Sequence, residues 1–366
     1  MATWQPWRWI AGRVQTRSRR DQFYSVYGPS SLLVLFFVWA LLLTFGFGFV
    51  FYGLQVPFHD PMLTGTSDWA RLRSCLYVSG TTIFTLGLGD VVPKSHLARL
   101  LTVIEAGTGL GFVALVIGYV PVLYSSFSQR EVQVALLDAR AGSPPTATEL
   151  LLRHNFDGGR EAMTILLEAW ERWCAEILES HISYPILCYY RSQHDNQSWL
   201  AALTSILDTC ALLISTLDSR ETRQAQLTFA MGKHVLVDLL HVFQQEPFER
   251  RLREASPTRL SEEDLARLCE AMRGTDFAPC SNLRGGENLR RMNGLRQLYE
   301  PSACALAEYL KLGMPHWITP IATQRKADTW AALKKLKLSG DDGFVHHVSA
   351  QSTAVHLDAY DDQSEF

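Results

Sequence analysis

The sequence predicts an all-α fold in two parts: a membrane module near the N-terminus and a helical bundle behind it. Three observations lead there. Two long apolar blocks fall before residue 125 and carry almost no charge. Beyond residue 129, apolar residues recur at helical spacing among Glu and Arg. No segment shows the strict alternation of a half-buried strand. A net charge of −3 over 366 residues gives no pointer to nucleic acid. Seven scattered cysteines lack C-x-x-C or metal-ligand spacing and read as reduced packing thiols.

The elements follow in chain order. Residues 1–27 are basic and Trp-rich, with Arg8, Arg13, Arg17, Arg19 and Arg20. Trp4, Trp7, Ile10 and Val14 recur there at roughly helical spacing, which predicts a helix lying at the membrane surface; a disordered basic leader is the alternative. Ser31 to Tyr52 is uncharged. As a helix of roughly 22 residues it covers about 33 Å, enough for a hydrocarbon core of about 30 Å. Its late start, its length and the lack of a small-residue cleavage site exclude a signal peptide. Asp68 to Ser79 is amphipathic and too short to span. Leu97 to Tyr124 is the second apolar block and holds one acid, Glu105. Its extra length suits a tilted helix that continues beyond the bilayer. Arginines before the first block and after the second (Arg130, Arg140) outweigh Arg71, Arg73, Lys94 and Arg99 between them. That bias places both termini in the cytosol, in an inner or plasma membrane.

Pro144 and Pro145 break any helix descending from the membrane and mark a boundary. The reading is a membrane module over 28–127, a linker over 128–145, an all-α domain over 146–335 and a disordered acidic tail over 336–366. Thr146 with Glu149 forms a capping box for the next helix. Asp157-Gly158-Gly159 is a turn. Met163, Leu166, Leu167, Trp170, Trp173, Ile177 and Leu178 then repeat at helical spacing. Ser261 before Glu262, Glu263 and Asp264, with Gly274 behind, punctuates another helix, and 291–313 reads as helical too. Trp199 to Leu217 is long and apolar. Asp208 at its centre is costly in lipid and favours a buried bundle helix; a third span is the alternative. The polar run Arg191 to Ser198 reads as a loop with helix caps, or else the lining of a ligand site. His346 and His347 are read as a chance pair. No dinucleotide-binding glycine motif, voltage-sensor arginine ladder or nucleophile–base spacing stands out, which argues against an enzyme.

Between the apolar blocks lies TTIFTLGLGD, residues 81–90. Thr85, Leu86, Gly87, Leu88, Gly89 and Asp90 spell Thr-x-Gly-x-Gly-Asp. A selectivity filter replaces an ion's hydration shell with rings of backbone carbonyls. Turning successive carbonyls towards one axis favours glycine at alternate positions. With Tyr77, Ser79, Thr82 and Pro93 around it, the segment 28–127 resembles the pore module of two-transmembrane potassium channels. The resemblance implies passive potassium conduction by a homotetramer in the lipid bilayer, with K+ held at the carbonyls of Thr85, Leu86, Gly87 and Leu88 and no cofactor. It implies that Thr81, Thr82, Asp90 and Glu105 support the filter. Thr81 stands where the family often has a glutamate. Leu86 and Leu88 replace the usual valine and aromatic. A weakly selective cation channel, or a non-conducting membrane-anchored receptor or scaffold, are the alternatives.

By the same resemblance Gly109 is a hinge, and Leu110, Val113, Ile117 and Pro121 line the cavity, where an apolar wall can gate by dewetting. Pro121 should kink the helix. Gly107, Gly111, Ala114 and Gly118 form a small-residue stripe suited to close helix approach. A pore module followed by a helical domain resembles bacterial ion-channel proteins whose soluble domain has no assigned task, and a gating ligand or protein on that domain stays open.

Overall fold

A computed structural model describes residues 4–13, 17–61, 67–192, 197–217, 222–255, 259–277 and 286–319. The chain divides into Met1–Trp317 and a second unit, Ile318–Phe366. The tail 336–366 with its two histidines, Val14 and the centre of the polar run, 193–196, lie outside the described residues.

The first unit is built from α1 (Trp4–Ala11), α2 (Arg17–Gly53), β1 (Phe58–His59), α3 (Asp68–Ile83), β2 (Val92–Pro93), α4 (His96–Ala141), α5 (Ala147–Arg153), α6 (Gly159–Ser183), a 3-10 turn (Pro185–Tyr189), α7 (Trp199–Thr216), α8 (Arg223–Phe243), α9 (Glu246–Ala255), α10 (Glu262–Ala271) and α11 (Glu287–Leu310). Among the described residues the sheet content is one antiparallel pair, Phe58 opposite Pro93 and His59 opposite Val92. It ties the segment after α2 to the segment before α4. α2 and α4 are each long and apolar enough to cross a membrane. α3, with 16 residues, is about 24 Å long and cannot. It packs between α2 and α4.

α7 also has the length and composition of a span, yet every residue from Trp199 to Ser215 is buried inside the protein. Chiefly α8 and α11 enclose it, so the bundle takes the place of lipid. Asp208, at its middle, is matched: Arg259 reaches its carboxylate at 2.5 Å and the Tyr299 hydroxyl donates to it. Burial pushes the Asp208 carboxyl up, and Arg259 opposes that. Burial alone would lower Arg259; Asp208, Tyr299 and Glu300 hold it above its ordinary value. Glu300 pairs with Arg259 at 2.9 Å and with Arg296 at 3.0 Å. Both guanidinium groups lie over the buried Trp317 ring, at 5.6 and 5.4 Å. A charged cluster this deep is tolerable because each charge meets an opposite one.

Three expectations change. α4 continues beyond the apolar block, as its length suggested, but much further than the linker expected over 128–145 allows. Its 46 residues run unbroken past Pro121 to Ala141, where Gly142 caps it at a φ of 83°. Most of the expected linker, 128–145, is therefore helix, and Arg130, Val134, Leu137 and Ala141 are buried. A cut after Arg140 would uncover bundle core rather than release a free module. The N-terminal helix forms but does not lay its leading tryptophans on a membrane. Trp4 packs on Tyr24, Tyr27 and Tyr189 and donates from Nε1 to the Tyr309 carbonyl at 3.1 Å. Trp7 stacks on Phe23 at 4.4 Å. Trp9 and Ile10 stay exposed. Finally, the Thr146 hydroxyl accepts from Glu149 N at 3.2 Å, but the Glu149 carboxylate turns to Arg153 at 2.9 Å instead of closing a reciprocal box.

Candidate functional site

The loop after α3 is positioned by three contacts at its back. The Ser79 hydroxyl on α3 lies within hydrogen-bond reach of both the Thr44 carbonyl of α2, at 2.7 Å, and the Glu105 carboxyl of α4; its one proton serves one of them at a time. Both Ser79 and Glu105 are fully buried. That one cluster joins the three helices. One turn further along α4, Gly109 lies against the end of α3. A Cβ there would stand 2.4 Å from the Ile83 carbonyl oxygen and 2.9 Å from its Cα. Close packing by itself therefore calls for glycine at 109, a role separate from the hinge that the resemblance implies.

α3 stops at Ile83, and the chain folds back on its last turn. Thr85 N–H donates to the Thr82 carbonyl at 3.0 Å, and Leu86 N–H to that of Thr81 at 2.8 Å; Gly87 N–H reaches the same oxygen at 3.3 Å. The backbone then takes left-handed conformations at alternate residues: φ is 57° at Thr85, 54° at Gly87 and 75° at Gly89. Glycine adopts these without strain, while Thr85 carries a cost of roughly 1–2 kcal/mol. At the outer end, Asp90 accepts from the Tyr77 hydroxyl at 2.7 Å and from Val91 N–H at 3.0 Å. Asp90 is thus met by Tyr77 and not by Thr81, whose hydroxyl turns to the Val78 carbonyl at 3.0 Å. Sequence reasoning placed Tyr77 in the family pattern without that partner; the signal was a phenol on α3 facing the end of the loop.

The expected residues fall into two groups on α4. Glu105 and Gly109 are buried on the face towards α2 and α3. Leu110, Val113, Ile117 and Pro121 share the opposite, exposed face. Leu86 and Leu88 are 62 % and 63 % exposed. In one chain, then, the loop's apolar side chains and the apolar face of α4 are both unpartnered.

The loop module is joined to the bundle below it. The side chain of Arg130 on α4 is fully buried. It donates to the Leu187 carbonyl at 2.8 Å and the Tyr190 carbonyl at 2.7 Å, and its Nε reaches Glu131 at 2.9 Å. Leu187 packs with Leu32 of α2 and Leu123 and Phe127 of α4. The 3-10 turn therefore wedges between the two long helices where they leave their apolar stretches. His181 lies 3.3 Å from Arg130 and is fully buried. Burial, with Arg130 beside it, holds its pKa well below the ordinary value. The unfolded chain then takes up the proton first. Acidification through the ordinary histidine pKa of about 6.5 should cost stability, by up to about 1.4 kcal/mol per pH unit, until folded His181 itself titrates. Thermal melts from pH 7 to pH 5 should show that loss, and His181→Gln should flatten the slope; an unchanged slope would refute the assignment.

Two membrane-length helices flanking a short helix and a loop of alternating left-handed residues define a pore-loop membrane protein. Residues 37–125, about a quarter of the chain, match the family described as "Ion channel". An uncharacterized membrane protein of Bacillus subtilis (strain 168), YdjJ, is 29% identical over 206 residues, 55% of this chain and 57% of its own length. The chain thus spans little more than half the length of that relative. No solved structure matches. Among the described residues no cluster of three or more His, Cys, Asp or Glu side chains could hold a metal ion.

Proposed function

We propose that four copies of the chain surround one axis and conduct potassium passively across a cell membrane, both termini in the cytosol. The carrying observation is the alternation of left-handed residues at Thr85, Gly87 and Gly89 between two membrane-length helices. The geometry is of the kind in which backbone carbonyls replace a hydration shell, with K+ at the carbonyls of Thr85, Leu86, Gly87 and Leu88. One loop supplies a quarter of such a ring, and closed rotational symmetry is the usual completion. The exposed faces of Leu86, Leu88, Leu110, Val113, Ile117 and Pro121 support an assembly of several copies, since neighbours and the water-filled cavity would occupy them. Glu105, Ser79 and Asp90 hold the filter from behind, assisted by Thr81 and Thr82 through their carbonyls. The bundle regulates the pore through Arg130 and the 185–190 turn.

A weakly selective cation channel is the second reading. It rests on Leu88, which offers no polar group to bond behind the filter. Leu88→Tyr would restore a hydroxyl and a ring able to pack there. Reversal potentials under opposed potassium and sodium gradients should shift towards potassium in the variant. A wild type already strictly potassium-selective, with the variant no better, would show that leucine packs well enough and would remove this second reading. Mass measurement in detergent should return four chains; monomers that retain flux would contradict the fourfold ring.

A further inference from the structure

α9, α10 and the first half of α11 border a cavity of about 370 Å³. That volume falls within the roughly 300–1,000 Å³ of small-molecule sites. Leu265 of α10 and Leu289 of α11 give it an apolar wall, and Arg253 of α9 and Glu262 of α10 bring one exposed charge of each sign. Arg296 and Glu300 also line it but are buried, and they answer one another at 3.0 Å. The same cavity opens where α11 is locally weakened. Pro301, inside that helix, has no N–H to give to the Gln297 carbonyl one turn back. Arg253 supplies the bond from the neighbouring helix, Nη1 to the Gln297 oxygen at 2.9 Å, and pairs as well with Glu249.

We infer that this cavity binds a small zwitterion, a free amino acid with an apolar side chain, and that its occupation adjusts the bundle's hold on the pore. A ligand with a single charge would face one residue of opposite sign and one of its own. An α-amino acid answers both: its carboxylate accepts charge-assisted hydrogen bonds from Arg253, its ammonium donates to Glu262, and its side chain lies against the two leucines. Arg253 is then shared between the ligand and the Gln297 carbonyl, so occupation bears on the point where α11 relies on an outside donor. The far end of α11 meets the coupling turn. The Tyr309 and Tyr189 hydroxyls lie 3.1 Å apart, and Arg191 donates to the Leu310 and Lys311 carbonyls at 3.2 and 2.7 Å. A change of bend at Pro301 therefore reaches the 185–190 turn that wedges between α2 and α4. The regulatory half of the proposal rests on the channel reading above; the binding half does not.

Calorimetric titration of the full-length protein in detergent tests this, with leucine, methionine and phenylalanine as probes. At least one should give heat of binding at millimolar concentration. Isocaproate and isoamylamine, which keep leucine's side chain but only one of its charges each, should give none. Arg253→Gln and Glu262→Gln should each weaken binding tenfold or more. Glu262 is exposed, so its variant should melt at the parent's temperature and report on the ligand alone. No heat from any of the three amino acids, equal heat from a singly charged analogue, or undiminished affinity in Glu262→Gln would overturn the site. In vesicles, the amino acid that binds should change cation flux in the parent and not in Glu262→Gln. Binding that leaves a normal flux unchanged would overturn the relay through α11. Binding with no flux at all would overturn the channel reading and leave the site standing.

Discussion

Gly87→Ala should abolish conduction while the protein still inserts and assembles. A Cβ at 87 would meet nothing within 4 Å in its own chain, so the damage is in the backbone. Residue 87 holds a φ of 54°, which costs any L side chain about 1–2 kcal/mol. The proposed fourfold ring would bear the cost four times, roughly 4–8 kcal/mol at one level of the proposed filter, enough to reorient its carbonyls. Single-channel recording should find no openings from a preparation of normal mass. Wild-type currents would remove the filter assignment. Gly89, at a φ of 75°, should behave alike.

Arg259→Leu should be the most damaging single change in the bundle. It strips Asp208 of its cation and takes one of two cations from Glu300. Asp208 would remain fully buried on α7 with the Tyr299 hydroxyl. Removing one partner of a buried pair costs about 3–5 kcal/mol. Thermal unfolding of the solubilised protein should show a loss of that size, and adding Asp208→Leu should recover much of it. A loss below about 1 kcal/mol would mean that water reaches the cluster and screens it.

Much of the membrane module was legible because its signals are local. Uncharged length marks a span, and glycine at 87 and 89 marks a backbone that must take positive φ. Ser261 shows the same for a cap: its hydroxyl accepts from Asp264 N at 3.0 Å, as its spacing from the acidic first turn implies. What stayed hidden depends on partners far along the chain. Arg130 looked like a topology-setting charge after the second span. Its acceptors, Leu187 and Tyr190, are 57 and 60 residues away. Trp4 and Trp7 read as a membrane-facing pair because the tyrosines at 189 and 309 that receive Trp4 cannot be inferred from residues 1–14. α8 could have been found: Ala225, Phe229, Gly232, Val235, Leu236, Leu239, Leu240 and Phe243 keep helical spacing and are all buried.

Pro144 and Pro145 misled in the other direction. The helix does end just before them, at Ala141 under the Gly142 cap, but α4 has by then entered the bundle core, so the boundary in composition is not a boundary in packing. The proposed regulation by the bundle therefore requires no flexible linker. A two-state pore responds to whatever binds its states differently, and here that bias would travel through Arg130 and the turn it holds.

Ion flux into vesicles reconstituted with the full chain tests the central claim most directly, with potassium, sodium and chloride measured in parallel against empty vesicles. The expected result is potassium uptake well above sodium, no chloride uptake, and loss of all flux in Gly87→Ala. Vesicles that hold correctly inserted protein yet take up no more cation than empty ones, or that pass chloride as readily as potassium, would contradict it.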